Sequence, residues 1–248
     1  MADDDLTIGS AQGPYDVDSL ATPVEDLETS HLDLGSVLVP VVEGGQVTVE
    51  MTPDHQPEAV YLITPHGRIG VSAFAAPKSP GLWREVVTEL AASLRDGGAQ
   101  VSIEDGHWGR EVVASVPGAA HRFIGVDGSR WMVRCVASGP AETRDELGRL
   151  ARAVLAETVV RRGRDPYPPR EALPIVLPPV LAEQVAAAQQ QMFDQQGAGQ
   201  QAGAAAAAAQ DPSVAGGDAS SPGGGTDDDD LPRSSGSAMQ RFRRDRTR

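Results

Sequence analysis

Between Arg122 and Ser138 the chain reads Arg-Phe-Ile-Gly-Val-Asp-Gly-Ser-Arg-Trp-Met-Val-Arg-Cys-Val-Ala-Ser, two runs rich in β-branched and aromatic residues on either side of Asp127-Gly128. That dipeptide suits a two-residue type I′ turn, in which both central residues need φ > 0, so the segment is expected to be a β-hairpin. With such a turn Val126 pairs with Ser129, Ile124 with Trp131 and Arg122 with Val133, and the side chains of Ile124, Trp131, Val133 and Cys135 share one face. Burying Trp131 there contributes roughly 1.5–3 kcal/mol. The other face carries Phe123, Arg130, Met132 and Arg134, a mixture that is expected to be covered only in part.

The same reading extends to both sides. Leu34 to Val39, Val47 to Met51, Ala59 to Thr64 and Ile69 to Ala75 are short apolar runs separated by Pro and Gly, and are expected to form a meander. The period then changes. Leu82, Trp83, Val86, Val87, Leu90, Ala91 and Leu94 recur at helical spacing, with Ser79 as the expected cap, Pro80 in the first turn and Gly97-Gly98 as the stop. Gln100 to Ile103 and Glu111 to Val116 read as strands joined through His107-Trp108-Gly109, and Ala141 to Thr158 as a second helix. From Arg161 the chain is Arg-rich and then Pro-rich, so an extended segment along the domain is expected. These elements make an α+β domain, a mainly antiparallel sheet of six to eight strands flanked by two or three helices.

Composition sets the expected limits of that domain. Residues 1–30 hold Asp3, Asp4, Asp5, Asp16, Asp18, Glu25, Asp26 and Glu28 and no Lys or Arg, and read as an acidic disordered arm. Residues 31–178 read as the single domain and 179–196 as an Ala/Gln-rich helix. Residues 197–248 are a Gly, Ala, Gln, Ser and Asp tail with too little apolar surface to offset chain entropy. The net charge is −14, and much of it lies in the N-terminal arm. Acidic flanks argue against general binding to nucleic acid or to an anionic membrane, both of which need cations to neutralise phosphate. The single cysteine, Cys135, excludes an internal disulfide, and no apolar stretch is long enough to span a bilayer. A soluble, cytoplasmic protein is expected.

No catalytic constellation emerges. His31, His55, His66, His107 and His121 lack metal-ligand spacing, Gly70-Val71-Ser72-Ala73-Phe74 is not a nucleophile elbow, and Gly97-Gly98 follows a helix rather than preceding one. The Asp227 to Asp230 run reads as solvated charge, and the terminal Arg241, Arg243, Arg244, Arg246 and Arg248 as a basic patch that could touch nucleic acid or an acidic partner were the Asp run not competing for it. The expectation is therefore a chain that is not an enzyme and has no cofactor and no metal. The residues singled out as ligand or partner candidates are Arg122, Arg130 and Arg134 on the hairpin and Trp83, Trp108 and Trp131. The arginines could recognise carboxylate or phosphate, or simply pair with Asp127, Glu111 or Glu104. The tryptophans could line a cavity or fill the core.

His31-Leu32-Asp33-Leu34-Gly35, Ala73 to Lys78 continuing to Gly81-Leu82-Trp83, Arg122 to Trp131, the Pro169 to Pro174 element and Gly13-Pro14-Tyr15-Asp16-Val17 together resemble an actinobacterial family, domain of unknown function 3710, across residues 13–178. The resemblance implies no activity and no site residues. The order of elements is also similar to PsbP/Mog1-type sandwiches, an analogy of fold and not of function. Taken together, the expected role is a non-enzymatic interaction module with an unknown protein partner. The alternative is a small-ligand or lipid-binding protein with a pocket between sheet and helices.

Overall fold

The computed structural model describes residues 6–191 except Glu43 and His55. The readings of residues 1–5, of the tail with its Asp run and terminal arginines, and of the end of the third helix lie outside the described residues.

Seven strands form the main sheet: β1 (Gln46–Met51), β2 (Pro57–Thr64), β3 (Gly67–Ala75), β4 (Gln100–Gly106), β5 (Gly109–Val116), β6 (Ala119–Asp127) and β7 (Trp131–Pro140). They lie in the order β1-β2-β3-β7-β6-β5-β4, every pair antiparallel. The connection from β3 to β4 is helix α1 (Leu82–Asp96), which lies on one face of the sheet. Helix α2 (Arg144–Glu157) follows β7 and lies on the other, and residues 179–191 form a third helix. The fold is α+β, as the alternation of strand and helix periods requires.

The hairpin of β6 and β7 exists, but not with a two-residue turn. Ile124 pairs with Cys135 rather than with Trp131, a displacement of four positions, and the last pair is Asp127 with Met132. Because the displacement is even, every side chain keeps its face. Ile124, Trp131, Val133 and Cys135 are all buried, packed with Ile69, Val71, Leu147, Ala151 and Leu155. Two contacts displace the turn. The carboxylate of Asp127 is drawn to the start of α1, where it accepts the N–H groups of Gly81 and Trp83 at 3.2 and 3.0 Å. Gly128 lies against the Trp131 indole, which a Cβ would meet at 2.1 Å. Arg130 closes the loop instead, in the left-handed conformation at φ 63°. Asp127, and not Ser79, is thus the side-chain cap of α1, with Gly81 at φ 113° in the capping position.

The other face of the hairpin is less open than its composition suggests. Met132 is buried with Leu82, Trp83, Val87, Ala91 and Val112, and Phe123 packs against that cluster. The helix covers Met132 and Phe123, while Arg134, two residues further along β7, stays partly exposed.

Of the four runs expected to form a meander, only the last three do so, as β1, β2 and β3. The first, β8 (Val37–Pro40), is buried along its whole length and joins a second sheet with β9 (His31–Asp33), β10 (Val159–Val160) and β11 (Tyr15–Asp16). Strand β11 runs parallel to β10, Tyr15 opposite Val159 and Asp16 opposite Val160. Residues 6–30, expected from their charge to be a disordered arm, are therefore part of the fold. Their carboxylates are spaced by apolar residues that charge counting overlooks: Tyr15 and Leu27 are buried with Leu38 and Val159, and Leu6, Ile8, Val17 and Leu20 pack around them. The expected boundary at residue 31 moves toward the N-terminus accordingly.

The segment after β10 runs extended, as expected. Ala172 bridges to Phe74 on β3, Leu173 N–H reaches the Ala73 carbonyl at 2.9 Å, and Ile175 bridges to Gly35. His31 is buried, with Nδ1 on Ser30 Oγ and Nε2 on the Glu157 carbonyl at 2.8 and 3.1 Å.

Candidate functional site

The arginines are separated by the parity of the strands. Arg122 projects to the α2 face, where Glu111, 1% exposed, accepts it at 2.6 Å and accepts Arg152 of α2 at 2.6 and 2.9 Å. Burial alone would push the Glu111 carboxyl up, but the two guanidinium groups outweigh it and hold it below the usual glutamate value. Glu104 takes the other end of Arg122 at 3.0 Å. Arg122 is thus a packing element between sheet and helix and is not available to a ligand.

The later arginines are fasteners. Arg161 grips Asp33 through both guanidinium nitrogens at 3.0 and 2.9 Å and reaches the Gly35 carbonyl at 2.7 Å. Burial opposes the charge of Asp33, and the Arg161 and Gly35 hydrogen bonds more than offset it, lowering its pKa. Arg162 donates to the Arg130 carbonyl, and Arg170 ties the extended segment to Glu85 and Glu89 of α1.

Arg134 has no such assignment. It projects from the middle of β7 on the α1 face, its guanidinium over the Phe74 ring at 4.8 Å. Its Nε is shielded from water and has no hydrogen-bond partner. Burial lowers its pKa from the ordinary arginine value, with Tyr61 acting in the opposite sense. Helix α1 packs chiefly on β4, β5 and β6. Around Arg134 the sheet therefore presents Tyr61, Ile63, Arg68, Ser72 and Val136, all partly exposed. Glu50 is engaged by Arg68 at 3.0 Å and by the Tyr61 hydroxyl at 3.2 Å.

The three tryptophans do not form one cavity. Trp131 is core, 3% exposed, and its indole N–H reaches Asp16 at 2.7 Å. Trp108 donates to the Gly13 carbonyl at 2.5 Å and Trp83 to the Arg110 carbonyl at 2.7 Å. Trp83 and Trp108 do meet at the rim of one half-open recess of about 480 Å³, together with Gly81, Arg84, Gly109, Arg110 and Asp127. It lies where the start of α1 meets the β4–β5 turn. Arg84 and Arg110 escaped the sequence reading: Arg84 looked like one more polar residue on the outer helix face, and only the hairpin register brings Arg110 to the same place.

Among the described residues no group of three or more His, Cys, Asp or Glu is placed to hold a metal, and no helix is long and apolar enough to cross a membrane. Cys135 is fully buried and its thiol is pushed up to about 12.

The profile of a family described as "Protein of unknown function (DUF3710)" matches residues 13–184. The chain belongs to that family. The matched span begins beside Pro14 and Tyr15, so the DUF3710 unit includes the β11 strand. None of the curated proteins matches the chain. Among solved structures, cyanobacterial PsbP (CyanoP) from Synechocystis sp. PCC 6803 is similar at 12% identity, covering 53% of this chain and 93% of that one, with a TM-score of 0.35. The α+β architecture of this DUF3710 protein rests on its own sheets and helices and not on that likeness.

Proposed function

We propose that this DUF3710 protein is a non-enzymatic interaction module of the cytoplasm that docks an acidic segment of a partner protein on the half of the main sheet left open beside α1. The observation that carries this reading is Arg134: a guanidinium held on an aromatic ring, with a desolvated Nε that has no acceptor. Buried polar groups nearly always have partners, and an unmet one needs a reason. A carboxylate from a partner supplies the missing acceptor, and the flanking Phe74, Tyr61 and Arg68 are residue types enriched at interface hot spots. A lone reduced cysteine fits a cytoplasmic setting.

The test uses the full chain in its native host with a photo-crosslinking residue at Ser72, and with the same residue at Thr88 on α1 as control. The proposal expects a discrete protein adduct at Ser72 alone that disappears in Arg134→Met, while Arg134→Met melts at or above the wild-type temperature, since it removes an unsatisfied charge. Equal adducts at both positions, or an adduct indifferent to Arg134→Met, overturns it. So does a lowered melting temperature, which would make Arg134 a structural residue.

A further inference from the structure

The recess between Trp83 and Trp108 opens beside the Arg134 surface, since Trp83 covers Gly125, the cross-strand partner of Arg134, but it has its own chemistry. Both indole N–H groups are spent inside the protein, on the Arg110 and Gly13 carbonyls. Trp83 is 5% exposed and lies over Gly125, so the ring surface open to a ligand is chiefly that of the partly exposed Trp108, apolar and without a free directional polar group. The helix N-terminus behind them is not free either, because Asp127 already occupies the Gly81 and Trp83 N–H groups. That capping also consumes the carboxylate: Asp127 lines the recess but points its oxygens into the first turn of α1. The remaining polar groups are the guanidinium groups of Arg84 and Arg110, both exposed and, among the described residues, without an ion-pair partner. Asp105 lies opposite Arg110 in the β4–β5 register yet closes no salt bridge with it.

In a chain whose net charge is −14, two cations without ion-pair partners stand here beside a partly exposed ring. We infer that the recess binds a small planar anion, an aromatic or conjugated ring bearing a carboxylate or phosphate. The ring lies against Trp108 beside the edge of Trp83, and its anionic group is held by Arg84 and Arg110. The volume of about 480 Å³ falls within the usual range for small-molecule pockets. Planar guanidinium groups suit either oxyanion, and two of them reading one group discriminate against a neutral ligand of the same shape.

Calorimetric titration of the full chain tests this with 2-naphthoate as probe, 2-naphthylmethanol as its neutral counterpart, and inorganic phosphate. The expected order is 2-naphthoate tightest, 2-naphthylmethanol about 10-fold weaker, and phosphate without detectable binding, since it lacks the ring. Arg84→Gln and Arg110→Gln should each weaken 2-naphthoate about 3- to 10-fold, the range of a single exposed charge-assisted contact. Asp105→Asn should tighten it, by removing the competing anion. Arg134→Met should leave it unchanged, and the two recess variants should leave the Ser72 adduct unchanged, so this inference and the docking proposal fail separately. Equal affinity for the neutral compound, indifference to the Arg84 and Arg110 substitutions, or absence of binding at 10 mM probe, several times the Kd of about 1.4 mM that roughly 0.3 kcal/mol per non-hydrogen atom of the probe would give, overturns the inference.

Discussion

Glu111→Gln is expected to destabilise the fold by about 3–5 kcal/mol, the cost of breaking a buried ion pair from one side, and the geometry places it at the low end. The carboxylate accepts Arg122 at 2.6 Å and Arg152 at 2.6 and 2.9 Å. Oε2 accepts Arg122 and one Arg152 bond and Oε1 accepts the other, so an amide that keeps its oxygen at the Oε2 position turns its NH2 toward Arg152 Nε. Arg122, 12% exposed, cannot escape to water, although Glu104 still holds it at 3.0 Å. Arg152, with a side chain 32% exposed, can swing outward. One stranded charge rather than two points to about 3 kcal/mol, which for a domain of this size lowers the melting temperature by about 6–12 °C. Urea unfolding with linear extrapolation measures it. The pH dependence supplies an independent check. The folded-state pKa of Glu111 lies below its ordinary value of 4.5, so its contribution is complete above that pH and is lost as pH falls through the lower, folded value. The gap between wild type and variant should close in that acid range. A loss under about 1 kcal/mol at neutral pH, or a double-mutant cycle with Arg152→Gln that shows no coupling, refutes the reasoning.

Asp127→Ala removes the cap of α1 and should cost about 0.5–2 kcal/mol, with Asp127→Asn costing less; equal losses in chemical denaturation would show that the hydrogen bonds are not responsible. Gly125→Ala places a Cβ 2.1 Å from the buried Trp83 ring and should cost about 1–3 kcal/mol by overpacking, read as a lowered melting temperature. Deleting residues 1–30 strips Tyr15 and Leu27 from Leu38 and Val159 and should cost about 3–6 kcal/mol at roughly 1.5–3 per buried side chain; an unchanged urea midpoint would show that the segment adds nothing. Cys135, fully buried with its thiol pushed up to about 12, should react with a disulfide reagent at pH 8 only as fast as the protein unfolds.

How far the sequence was legible depended on the range of each interaction. The faces of the hairpin were readable because alternation is local, and burial of Trp131, Val133 and Cys135 followed from it. The turn was not, because Asp127 answers to α1, forty-odd residues earlier in the chain. Charge misled in residues 6–30: apart from Asp16, which accepts the Trp131 indole, the acidic side chains count against a segment whose Tyr15 and Leu27 face inward. Arg122 was readable to the extent that Glu111 and Glu104 stood among its possible partners. The recess was out of reach, since Arg84 and Arg110 meet only when the helix start and a distant strand turn come together.

The pairing of Tyr15 and Asp16 with Val159 and Val160 also has a meaning in time. A ribosome delivers β11 about 144 residues before its partner strand, a separation whose closure costs entropy that grows slowly with length. Until Val159 has emerged, the N-terminal segment has no edge to join, and Leu38 lacks its cover. Among the described strands the last made is therefore the one that seats the first, and a nascent chain paused before it exposes the very surface that residues 6–30 later seal.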